Sequence, residues 1–212
     1  MKPITPFKFL ILLHENGFLE NLIKAAANME DSQNKKSGGA VLCGCKLDGE
    51  YQHVLSVGDI PVEKIGKYSH YAAYVKAAAL KNAWYVLSSD EQEPLTTFDL
   101  NEKGIRLEDE KGEYIVVPGG GSMLHDIIFT CSGFSPEIDD AVVYVLQIMY
   151  DWIQSLGYTI DTACSRFEED PTVVTRFGLK SQSGTREKLC DQVLSRGQLT
   201  ELFDEYNKLP LL

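Results

Sequence analysis

The chain is predicted to be an α+β protein, an antiparallel sheet flanked by helices. Three observations predict this. Asp48-Gly49 is a turn signal between two short runs of strand composition, 40–46 and 53–57, as in a hairpin. Two long helical stripes, one around Ala72 and one around Val145, are separated by several short strand-like runs. Strands and helices do not alternate singly, which argues against a doubly wound parallel sheet.

Taken in order, residues 7–13 fit either a short strand or the start of a helix. Residues 17–30 read as a helix, with Phe18, Leu22, Ile23 and Ala26 at helical spacing. A polar loop over 31–39 leads into the hairpin. Gly58-Asp59-Ile60-Pro61 opens a second helix, capped by Asp59 or Ile60 with Pro61 in its first turn, running to about Asn82. Residues 88–94 form an acidic loop and 105–108 a short strand. Lys111-Gly112 turns the chain into a strand over 113–117, and Pro118 to Ser122 form a Gly-rich loop. Residues 40–46, 53–57, 113–117 and 124–131 are expected to share one sheet.

The stretch 127–152 has the clearest pattern. Ile127, Ile128 and Phe129 make a core strand, and Ser132, Gly133 and Ser135 break it. Ser135 is placed to cap a helix that has Pro136 at its first position. Glu137, Asp139 and Asp140 put negative charge at its positive end. Ile138, Ala141, Val142, Val145, Ile148, Met149 and Trp152 form its apolar stripe, and Gly157 stops it. A core domain is therefore expected over 1–157. Residues 158–212, with a strand over 172–177 and a helical region over 186–208, form a C-terminal helical extension packed on the core or on a partner subunit.

Composition excludes several classes of partner. A formal net charge of −11 over 212 residues disfavours nucleic acid, because phosphate neutralisation needs clustered Lys and Arg. It equally disfavours anionic membrane surfaces. The apolar run 9–13 is far too short to span a bilayer, and no small-residue cleavage site follows it. Five cysteines without a framework spacing suit a reducing compartment, so a cytoplasmic location is expected.

Lys76 is the sharpest single feature. At about 100° per residue it falls in the middle of an apolar helix face, among Ile65, Ser69, Ala72, Ala73, Leu80 and Ala83. A charge there needs a partner. The candidates are a carboxylate such as Glu137, Asp139 or Asp140, the carbonyls of the 131–133 turn, or a bound acid. On the same helix His70 and Tyr74 point away from that face, where they would meet a planar cofactor or a subunit contact. Gly119, Gly120 and Gly121 lack the Lys-Ser/Thr ending of a phosphate loop and read as a strand connection or the wall of a small-ligand pocket. Ser132 stands outside any G-x-S-x-G motif and is not a hydrolase nucleophile. Cys43 and Cys45 share one strand face, which Cys131 would join in a thiol cluster, although small core hydrophobes are the simpler reading. The histidines His14, His53, His70 and His125 have no metal-ligand spacing.

Ala73-Tyr74-Val75-Lys76-Ala77, then Gly119-Gly120, then Cys131-Ser132-Gly133 followed by Asp139-Asp140-Ala141-Val142, resemble in that order the GlcG/HbpS-like family. The resemblance covers roughly residues 21–152. It implies a profilin-like fold and a small haem-binding or haem-degrading protein, and it carries over Lys76, Gly119, Gly120, Ser132 and Gly133. Ala79 stands where the family has Thr, and Thr130 where it has the first Gly of G-x-S-G. Haem is thus a cofactor by resemblance alone, with His70 or Tyr71 as the candidate iron ligand.

The expected function is non-enzymatic binding of a small planar or anionic ligand. Lys76 would neutralise a ligand acid, and Gly119–Gly121 with Ser132 and Gly133 would line the pocket. The alternatives are an oligomeric assembly module without cofactor, and an accessory enzyme of small-molecule catabolism. A homo-dimer or higher oligomer is expected, since Tyr71, Tyr74 and His70 share one helix face.

Overall fold

The computed structural model describes residues 4–30, 38–49, 53–87, 94–105, 107–108, 112, 114–154 and 185–193. Two helices come first. The Thr5 hydroxyl accepts from the Lys8 amide at 3.3 Å and caps α1 (Pro6–Glu15), with proline at the tolerated first position. Residues 7–13 are therefore helical, not a strand. Gly17, at φ 71°, turns the chain into α2 (Phe18–Met29), whose Phe18, Leu22, Ile23 and Ala26 face inward as their spacing predicts.

The hairpin is β1 (Gly38–Lys46) with β2 (Val54–Asp59), so Gly58-Asp59 closes the strand instead of opening the helix. Pro61, extended at ψ 129°, then precedes a helical run of three parts: α3 (Val62–Ser69), a π-helix (His70–Lys76) and α4 (Ala77–Leu87). After it come β3 (Leu95–Thr96) and α5 (Thr97–Glu102), the latter closed by a Thr96/Asp99 capping box. The short strands β4 (Leu107–Glu108) and β5 (Tyr114–Ile115) follow, then β6 (Gly121–Leu124) and β7 (Ile127–Ser132). The last described helices are α6 (Pro136–Gln154) and α7 (Thr185–Val193).

The main sheet is antiparallel throughout, in the order β2-β1-β7-β6-β3. The fold is α+β. Two expectations fail. The run 124–131 is not one strand: Leu124 ends β6, His125-Asp126 turn the chain, and β7 starts at Ile127. And β5, within the 113–117 run, pairs with β4 in a separate two-stranded ribbon. Its place beside β6 belongs to β3, a two-residue strand at the end of the acidic 88–94 stretch.

Strand alternation gives each sheet face its own layer. Leu42, Phe129 and Cys131 face the side covered by α1, α2, α6 and α7. Val41, Cys43, Cys45 and Ile128 face the side covered by the α3–π–α4 run. Cys131 pairs in register with Leu42, not with Cys43, so the alternative of a thiol cluster does not arise; the three cysteines are core residues of opposite layers, as the simpler reading has it.

The π-helix has a visible cause. The Ala72 carbonyl accepts from the Ala77 amide five residues on and also from the Thr130 hydroxyl of β7 at 2.8 Å. A side chain inserted into the ladder is one of the recognised sources of such a distortion. At α6, Ser135 stands before Pro136 and its carbonyl accepts from the Asp139 amide. Its hydroxyl, expected to cap that helix, instead donates to Glu30, which also accepts from the Ser135 amide at 3.1 Å.

Residues 158–184 and 194–212 lie outside the described residues, and with them the predicted strand over 172–177. Helix α7 packs against α6 and α2 of its own chain, with Leu189 and Val193 in the core. Its Arg186, 2% exposed, pairs with Asp140 (Nε to Oδ2, 2.6 Å) and lies 5.1 Å from the centroid of the Tyr144 ring. Burial pushes Asp140 up to about 6, even with Arg186 drawing it down.

Two predictions follow from this packing. A Cβ on Gly133 would lie 2.7 Å from Ala40 Cα and run into the Gly39 carbonyl, both backbone atoms of β1. Gly133→Ala is expected to cost ~1–3 kcal/mol in a urea titration, or more if β1 cannot shift. An unchanged midpoint would show that the sheet end yields easily. The second concerns pH. Between its ordinary 3.8 and about 6, Asp140 holds its proton when folded and loses it when unfolded. Folding takes up that proton, so Asp140 adds stability as pH falls through this window. Asp140→Asn removes this titration and should flatten the Tm profile between pH 6 and 4. Parallel wild-type and variant profiles would contradict this.

Candidate functional site

The site is built at the end of the sheet where β6 starts and β7 stops. Lys76, the last residue of the π-helix, is 1% exposed. Its ammonium donates to the Cys131 carbonyl and to Asp139 Oδ2 at 3.1 Å. This meets two of the partners expected for it, a carboxylate of the α6 start and a carbonyl of the 131–133 turn. The pair spans layers. Lys76 belongs to the helical run on one face of the sheet, and Asp139 to the helix on the other.

Asp139 has further partners. Its Oδ1 accepts from the Phe134 amide at 3.0 Å and from the Cys131 thiol at 3.4 Å. Burial nonetheless holds its carboxyl above the usual range, against the pull of Lys76 and these donors. Burial and the neighbouring Asp139 likewise raise the Cys131 thiol.

The glycine loop serves this pair. Gly120, at φ 101°, brings its α-carbon so close that a Cβ would stand 2.5 Å from Asp139 Cβ and 2.9 Å from Lys76 Nζ. Its carbonyl accepts from the Cys131 amide at 2.8 Å, the last rung of the β6–β7 ladder. Lys76 takes the next carbonyl, that of Cys131. Gly119 is closed in by the Phe98 ring and the Pro136 carbonyl, and Gly121 by Thr97 and Leu80.

A cavity of about 620 Å³ opens beside the pair. Lys76, Asp139, Ser132 and Gly133 form one side of it, Lys64, Lys67, Tyr68 and Tyr71 another. Val116, Pro118, Phe134 and Pro136 complete it, with Asn101 holding the Val117 carbonyl at 2.7 Å behind that wall. Of the residues singled out from sequence, Lys76, Ser132, Gly133 and Tyr71 are thus brought together. Gly119, Gly120 and Gly121 are not among its lining; they lie behind, under the ion pair. His70 is also elsewhere, exposed on the outer helix surface and stacked on Tyr74 at 5.8 Å.

Lys64, Lys67 and Tyr68 escaped the sequence reading for a geometric reason. An i→i+5 helix turns each residue by roughly 80°, against about 100° in an α-helix. Six such steps swing everything before His70 by on the order of 100° relative to Lys76. On a regular wheel Lys67 lies opposite Lys76, whereas in the structure both line one cavity. The one available signal was the density of aromatic and cationic residues over 64–74.

A second cavity, about 500 Å³, lies between the end of α2, the start of α6, and α7. Its carboxylates are committed, Glu30 to Ser135 and Glu137 to Thr185 at 3.0 Å. On β1, the Cys43 hydrogen bond and nearby Lys81 lower the Cys45 thiol against its burial, and the same bond, with burial, raises Cys43. Among the described residues no group of three or more His, Cys, Asp or Glu is placed to hold a metal ion, and no helix is long and apolar enough to cross a membrane.

Compared with family models, curated proteins and solved structures, the chain matches none.

The ion pair sets a prediction. Lys76→Met leaves the Asp139 carboxylate buried without its cation, which typically costs ~3–5 kcal/mol. Adding Asp139→Asn removes the stranded charge and keeps an acceptor for Phe134, so it should restore most of the loss in urea denaturation. A double variant less stable than Lys76→Met alone would show that the two residues do not act as a pair.

Proposed function

We propose that this protein is a non-enzymatic binder of a small planar, anionic ligand, held in the cavity beside the Lys76–Asp139 pair. The observation that carries the reading is the cavity's lining. Two lysines, Lys64 and Lys67, stand at a pocket walled by Tyr68, Tyr71, Pro118 and Pro136, in a chain of net charge −11. Its volume falls in the range of small-molecule sites, about 300–1,000 Å³.

Haem is the ligand that the GlcG/HbpS-like resemblance brings forward. The residues present fit its chemistry. Lys64 and Lys67 suit carboxylate side groups, the aromatic and proline walls suit a flat ring system, and a tyrosine is an established iron ligand. Tyr71 lines the cavity and His70 does not, so Tyr71 is the favoured of the two candidate iron ligands. Lys76 supports the pocket and is not its primary anion contact, because its ammonium already holds Asp139 and the Cys131 carbonyl.

A second reading has its own observation. Tyr74, Tyr85 and Val86 are 48, 70 and 74% exposed on the outer side of the long helical run. A second copy of the chain covering them would make the protein an assembly module. Sedimentation at high micromolar concentration tests that, with a monomer counting against it.

Haem titration followed in the Soret band tests the first reading. Saturable binding is expected, weakened about tenfold or more, on the order of 1.4 kcal/mol, in Tyr71→Phe and unchanged in His70→Ala. Binding that both variants leave intact would place haem elsewhere, and no saturable change would remove haem as the ligand.

A further inference from the structure

Resting on that cavity, we infer the class of its ligand: a small aromatic carboxylate, whose acid group meets the hydroxyls and ammonium groups of Ser132, Tyr68, Lys64 and Lys67. The inference starts from two hydroxyls. On β7, Ile128 and Thr130 face the long helical run, Thr130 through its bond to Ala72. Ser132, two residues on, faces the same way and into the cavity. It is 7% exposed, and its hydroxyl makes no hydrogen bond with a described residue. The Tyr68 side chain is largely covered, and its phenol likewise makes no hydrogen bond with a described residue. Burial first, then Asp139 and Glu30, holds that phenol above its ordinary 10, so it is a neutral donor at physiological pH. Both hydroxyls belong to residues lining one cavity, and neither is committed to another described residue, so both can donate to a ligand acceptor there.

The charges agree. Lys64 and Lys67 are three residues apart on α3 and share a face. Asp139 is the lining carboxylate, and both its oxygens are engaged by Lys76, Phe134 and Cys131. The charges that line the cavity thus favour an anion: its carboxylate is already engaged, and its lysines and hydroxyls can donate. Val116, Pro118, Phe134 and Pro136, also in the lining, offer nothing to a small hydrated anion, yet suit a ring. Tyr71 adds a face that already lies 5.9 Å from Lys67 Nζ. An aromatic ring with one carboxylate satisfies both ends at once; inorganic phosphate satisfies one.

Isothermal titration of the full chain with 1-naphthoate, 1-naphthalenemethanol and inorganic phosphate tests this. Naphthoate is expected to bind roughly tenfold or more tighter than the neutral alcohol and than phosphate. Ser132→Ala and Tyr68→Phe should each weaken naphthoate about threefold or more, and Lys67→Met about fivefold, with Tm unchanged. Equal binding of acid and alcohol would overturn the donor end, and phosphate binding as tight as naphthoate would overturn the ring slot. Wild-type naphthoate affinity in both hydroxyl variants would overturn the assignment of those residues. Haem binding that naphthoate neither shares nor displaces would sink this inference and leave the cavity reading standing. Naphthoate binding without haem binding would support it and remove haem alone.

Discussion

Much of this structure hangs on a lysine meeting an aspartate at the end of a sheet. Lys76 and Asp139 come from helices on opposite faces and meet where β6 has not yet begun and β7 is about to end. In an antiparallel ladder a terminal carbonyl needs a donor. Here the ammonium serves the Cys131 carbonyl, and the aspartate serves the Phe134 amide just beyond. One pair thus satisfies the strand end, fixes the turn into α6 and ties the two layers together. Buried pairs of this kind contribute little net stability, but losing one member is costly. Their value here is positional, and Gly120 is the residue that leaves them room.

The π-helix is the second constraint. It ends on Lys76, at the close of the ladder, while Ala72 and Ala73 pack in the layer on that face of the sheet. Thr130 donates to the Ala72 carbonyl within it. Its wider turn carries Lys64, Lys67 and Tyr68 round to the side where Ser132 and Gly133 end the strand. The cavity thus lies where the π-helix brings residues on both sides of it together, and π-turns occur frequently at functional sites. Its cationic rim is set against an acidic molecule. Long-range repulsion of anions is then overcome locally, within about a Debye length of 8–10 Å.

Helix α7 adds a further restraint on α6. Arg186 fastens it through Asp140, the residue next to Asp139, so adjacent aspartates of one helix serve opposite neighbours. From sequence, the three negative charges at the start of α6 compensate the helix dipole and offer Lys76 a carboxylate partner. Two of them are buried and paired, which the dipole argument alone does not require.

Periodicity and turn chemistry alone determined the α+β class, the β1–β2 hairpin, β7 with its long helix, and the buried position of Lys76. Each depends on neighbours in the chain or on a repeat of two or about 3.6 residues, and such information is local. What only the tertiary structure decided is non-local. The separation of β4–β5 from the main sheet was illegible, because a two-residue strand has no periodicity to read. Ser135 turned from its helix to Glu30, 105 residues away. The cavity's cations stayed hidden because a regular wheel assumes one twist throughout, and the twist changed at a segment whose widening is met by a threonine on another strand. Sequence therefore named Lys76 and Ser132, while the fold decided that the lysine supports the site and that the serine opens onto it.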